Sequence, residues 1–136
     1  MARYLMLAAV CLLMLGCSDR AGNALDVYEA VFRYSLQKHP ADVKAYLVVD
    51  GKDPSSELLT RLRKDWPNLQ PLSEDPKEQG LRLYAEGLKW GAGTAELKAG
   101  SWFPSKFGGE GHFADYHVVR EKGQWVVKKL TNETMS

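Results

Sequence analysis

The chain has almost no cysteine, no excess of either charge and no long hydrophobic run, and each shortage excludes a class of protein. Of its 136 residues only Cys11 and Cys17 are cysteine, so a disulfide-stapled scaffold is out and stability must come from a packed core. Lysine and arginine total 18 against 17 aspartate and glutamate, a net charge of +1, which encodes no long-range attraction to nucleic acid. The longest apolar stretch, Leu5 to Leu15, is far short of the roughly 20 residues a membrane-spanning helix needs. Also missing are a G-x-S-x-G elbow, a helical HxxxH pair and a glycine-rich loop leading into a helix, which removes the usual serine-hydrolase, zinc-enzyme and phosphate-binding signatures. The sequence "GGEG" at 108–111 runs on into a strand pattern, so it reads as a hairpin loop. No cofactor and no metal site is expected.

The first residues have the layout of a secretory signal, with Arg3 ahead of the apolar run. At its end, Met14-Leu15-Gly16-Cys17 resembles the lipobox of bacterial lipoproteins, with Met14 where leucine is usual and Leu15 where a small residue is usual. The resemblance implies that residues 1–16 are removed and that Cys17 is acylated as the new N-terminus, so its thiol no longer exists as such. Removal takes Arg3 and no acid, leaving 17 basic against 17 acidic residues. Two or three acyl chains anchor stably where one does not, at about 0.8 kcal/mol per buried methylene. Ser18 rather than aspartate after the cysteine resembles lipoproteins sent on to an outer membrane, with Asp19 one place later. The expected location is the cell envelope, lipid-anchored at the outer membrane and facing the periplasm.

Residues 17–23 are small and polar and form a lipidated tether, and 24–136 form a single domain. From Ala24 the apolar residues Leu25, Tyr28, Val31, Phe32 and Leu36 fall at helical spacing, with Asn23 as cap and Pro40 as stop. "AYLVVDG" at 45–51 reads as a strand buried on both faces. Asp53 and Pro54 then open a short helix with Leu58, Leu59 and Leu62 inward. Residues 65–80, with Pro67, Pro71 and Pro76, read as loop. Beyond Leu81 the period is two, with a β-bulge at Gly87, a turn at 91–94 and a tight connection at Lys122-Gly123. The expected fold class is α+β: an N-terminal helix packed on a curved antiparallel sheet of about four to five strands, with a short second helix.

The curved sheet wrapped on an N-terminal helix looks like the cystatin-like or NTF2-like group, from which the early strand and the short second helix depart. "VYEAVFRY", "DGKDPSSELLTRL" and "GQWVVKKL" also resemble stretches of an uncharacterised family of small exported bacterial proteins, over about a quarter of the chain. That family carries cysteines near the Gly-rich stretch, whereas this chain has none between 100 and 117, and the resemblance brings no activity with it.

Within "GHFADYH", 111–117, strand alternation sets Phe113, Asp115 and His117 on one face and His112, Ala114 and Tyr116 on the other. Asp115 and His117 are the candidate catalytic pair; a further carboxylate would have to come across the sheet from Glu96 or Glu86. A half-exposed histidine on a strand is more often structural. Trp90, Trp102 and Trp125 lie on or beside strands and are expected to complete the core. Trp66, in a loop, is an interface anchor if exposed and a plug at one end of the sheet if buried, and the size of tryptophan favours burial. Phe103, Lys106 and Phe107 in the long Gly-rich connection 103–111 are candidate binding residues.

Two functions follow. The first is a non-catalytic envelope lipoprotein that binds a protein or small ligand, including an inhibitor or immunity-type role toward a periplasmic partner. The alternative is a small hydrolase or isomerase with Asp115 and His117 in an NTF2-like pocket.

Overall fold

The computed structural model describes residues 23–75, 80–105 and 108–135; Cys17, Lys106 and Phe107 lie outside them. The described chain is α+β. Helix α1 covers 23–36 and buries Val27, Val31, Phe32 and Leu36. It is followed by β1 (Ala45–Val49), α2 (Ser56–Arg63), β2 (Leu69–Pro71), a short 3-10 turn, β3 (Leu81–Trp90), β4 (Thr94–Phe103), β5 (Glu110–Glu121) and β6 (Gln124–Met135).

The sheet has six strands in the order β2-β1-β3-β4-β5-β6, more than the four to five expected. The addition is β2, in the stretch expected to be loop. It is three residues long and pairs with β1 in parallel, and at a sheet edge Pro71 is tolerated because its missing N–H faces no partner strand. β1 is parallel to both neighbours and buried over Ala45–Val48, as its unbroken apolar run predicts. From β3 to β6 the sheet is an antiparallel meander.

Both helices contribute to one core with a single face of the sheet: Leu58 and Leu62 of α2 join Leu47, Leu83, Leu97, Tyr116 and Val118. The helices are cross-tied at their outer surfaces, where Arg61 meets Asp26 at 2.7 Å and Arg33 meets Asp65. Trp66 is 9 % exposed within this core, with the Arg33 guanidinium over its ring, and so is buried and offers no free face. Ser55, not Asp53, caps α2 by accepting from the Leu58 N–H at 3.2 Å. Asp53 instead takes the Ser73 N–H at 3.0 Å and the Ser73 hydroxyl, pinning the 3-10 turn (Leu72–Glu74) that follows β2.

The bulge at Gly87 is present: the β3–β4 register shifts between Glu86 and Lys89, and Gly87 has φ +70°. The Lys122-Gly123 connection is a two-residue turn with φ of 51° and 76°, the twist that matches a hairpin. Trp90 differs from expectation. It is 43 % exposed, because it stands at the far end of β3 and rests on Trp125 at 5.6 Å between ring centroids instead of under a helix.

Candidate functional site

The sheet face turned away from the helices carries two cross-strand rows of charge. One runs Glu86, Lys98, Asp115 and the other Lys89, Glu96, His117. Each neighbour is of opposite sign where histidine is charged, the arrangement that stabilises a pair of strands. With Asp50, Gly87, Thr131 and Asn132 they line an open recess of about 620 Å³.

At its centre His117 is held from both sides. Its Nδ1 is 2.7 Å from Glu96 Oε1 and its Nε2 is 2.8 Å from Thr131 Oγ1. A carboxylate only accepts, so Nδ1 carries the proton, and in the neutral ring Nε2 accepts from the threonine hydroxyl. The three residues come from β4, β5 and β6. Asp115, expected as the partner of His117, lines the same recess but is occupied by the Asn132 amide, which donates at 2.7 Å.

Thr131 reaches this face through a bulge. The register between β5 and β6 shifts between His117 and Val118, so Lys128 is extra on β6 and the inward series Trp125, Val127 resumes at Leu130. Were the alternation to run unbroken through Lys128, Thr131 would share the parity of Val127 and point to the core. A second irregularity lies between Phe113 and Asp115, where Asn132 takes φ 52°, a left-handed conformation that asparagine tolerates better than most residues. The three-residue step from Val127 to Leu130 was a readable signal in the sequence, and it points to Thr131.

The rim is set by the Gly87 bulge. Asp50 accepts the Gly87 N–H at 3.0 Å and the Tyr28 hydroxyl at 3.3 Å. Burial and the adjacent Asp50 carboxylate push the Tyr28 hydroxyl up to about 12. Among the described residues no group of three His, Cys, Asp or Glu side chains is spaced to hold a metal ion.

A second concavity lies at the end of the sheet that carries the Gly-rich connection. Phe103, Glu110, His112, Met135, His39 and Val43 are among the residues that line a groove of about 690 Å³. Phe103 is 53 % and Met135 84 % exposed. Phe103 pairs with Glu110 across the strands, so the connection proper is 104–109, and Gly109 packs against the Trp102 indole.

No family model, no curated protein and no solved structure matches the chain, so the reading of these sites rests on their geometry and on the sequence.

Proposed function

We propose that this protein is a lipid-anchored envelope protein that binds a partner or small ligand at the end of its sheet, without chemistry of its own. The observation that carries this is the groove beside Phe103: two of the large apolar side chains exposed among the described residues flank one concavity, next to a connection longer than a hairpin requires. Exposed apolar area gathered around a recess is where binding is built. Lys106 and Phe107 belong to the same connection by sequence. Chemical cross-linking in intact cells, followed by recovery of the protein, should yield a discrete adduct that Phe103→Ala reduces severalfold while the domain stays folded. An unchanged adduct pattern in Phe103→Ala and Met135→Ala would remove the groove from the binding surface.

A second reading is favoured by one observation, the Glu96–His117–Thr131 array. A hydroxyl within reach of an imidazole that a carboxylate orients is the arrangement of nucleophilic catalysis. In ester hydrolysis Thr131 Oγ1 would attack the carbonyl carbon and pass its proton to His117 Nε2. The alkoxide leaving group would take that proton, and water would then release the acyl group by the same route. Lys89 and Lys98 line the same recess and would supply a cation for a developing oxyanion. Turnover of short-chain aryl esters that falls at least about 100-fold in both Thr131→Ala and His117→Ala is the result this reading requires. Turnover surviving both substitutions assigns it to a contaminant.

A further inference from the structure

The end of the sheet opposite the Phe103 groove holds the two tight turns, 91–93 and 122–123, and the start of α1. Asn23 is fastened there, its Oδ1 accepting from the Trp125 indole N–H at 3.3 Å. Only residues 18–22 separate that point from Cys17, and a chain extends by at most about 3.3–3.6 Å per residue. Whatever Cys17 is attached to lies within about 20 Å of this end. The tether itself is neutral, with Asp19 set against Arg20.

The surface at this end combines exposed apolar side chains with basic ones. Trp90 is 43 % exposed and Val126 is exposed. Around them stand the exposed side chains of Lys89, Arg120, Lys122 and Lys128. Two acids stand among them: Glu121, paired with Lys128, and Glu96, which faces Lys89 across the strands and is turned to His117 Nδ1; Asp26 of α1 is turned to Arg61. A chain of balanced overall charge thus gathers cations and an exposed indole at one pole, the pole that carries the tether. Tryptophan and long basic side chains partition to the boundary between headgroups and hydrocarbon, the ring amphipathic and the bases reaching to phosphates, and anionic headgroups draw basic clusters that lie within a Debye length.

We infer that this pole docks on an anionic phospholipid surface, with Trp90 at the headgroup boundary and Lys89, Arg120, Lys122 and Lys128 over the phosphates. The inference rests on the reading that Cys17 is acylated, and it adds an orientation. The molecule stands with its strands rising from the membrane, the His117 recess facing sideways and the Phe103 groove held away from the bilayer, where an envelope partner has access.

The test uses the processed protein purified from cell membranes and added to vesicles of phosphatidylethanolamine and phosphatidylglycerol whose acyl chains are brominated near the headgroup. Bromine quenches indoles that touch the bilayer. Trp90→Ser, shown folded by circular dichroism, should reduce the quenching of tryptophan emission at least about twofold. Lys122→Glu with Lys128→Glu should reduce it likewise without releasing the protein, since the acyl chains still hold it. Zwitterionic phosphatidylcholine vesicles, or about 0.5 M salt, should give the same loss in the unaltered protein. Protein that stays on vesicles with quenching absent, or unchanged in Trp90→Ser, overturns the docked orientation and leaves the anchor standing. Quenching equal on both lipids overturns the role of the cations. A Cys17 peptide of unmodified mass from protein that does not stay on vesicles overturns the anchor, and the docking with it.

Discussion

Single side chains decide what the open sheet face can do. The His117 ring nitrogens are both engaged, so a ligand that binds it must displace either Glu96 or Thr131. At the rim, Tyr28 gives a direct readout of burial. Its folded pKa, about 12, stands above the ordinary value of 10.0, so between those values the folded state holds a proton that the unfolded chain has released. The stability this contributes is complete below about pH 10 and is lost as pH rises through about 12. Urea unfolding followed across that window should show a steeper alkaline decline in the unaltered protein than in Tyr28→Phe. Equal slopes would mean that the hydroxyl is solvated. Glycine matters at this scale at Gly100, where a Cβ would collide with the His112 carbonyl and the Phe113 ring; β4 and β5 approach too closely there for any side chain.

Among the elements, β2 is the one that the sequence pattern concealed, while the β1 strand and the α2 helix that lead to it were expected. α2 is only eight residues long, too short to be stable by propensity alone, and it persists because Leu58, Leu59 and Leu62 are buried and Ser55 caps it. Ser55→Ala should lower unfolding free energy by about 1 kcal/mol, measured by urea denaturation, whereas Asp53→Ala should act mainly through the turn after β2. The two hydrogen bonds from Ser73 hold the Asp53 carboxyl below its ordinary value. Its contribution is present above about pH 4 and is lost as pH falls through the depressed folded value, so Asp53→Ala should flatten the acid limb of stability while Ser55→Ala leaves that limb in place.

The whole molecule has two distinct ends. One carries Asn23, the tight turns and Trp90, and the other carries the Phe103 groove; α1 runs from Asn23 beside Trp125 toward the groove, where His39 follows it. The lipobox resemblance predicts that Cys17→Ala moves the protein from the membrane to the soluble envelope fraction. Ser18 predicts that the unaltered protein bands with the outer membrane on a density gradient. Accumulation with the inner membrane would assign the decisive influence to Asp19.

Local signals in the sequence were sufficient for much of this. The α1 stripe, the buried run of β1, the Gly87 bulge and the Lys122-Gly123 turn were all legible, because helical spacing, β-branched runs and positive-φ positions are properties of neighbouring residues. The face shared by Asp115 and His117 was legible for the same reason, since alternation along a strand needs no partner. What tertiary structure alone decided were the relations between strands. Three residues between prolines become β2 only because β1 offers a parallel edge. Glu96 rather than Asp115 meets the His117 ring because β4–β5 register sets them opposite. Thr131 completes the site because the β6 bulge turns it outward. Trp66, read in a loop, ends buried and Trp90, read on a strand as core, ends exposed, since burial depends on what else reaches the same place, and register and packing are fixed by contacts far apart in the chain.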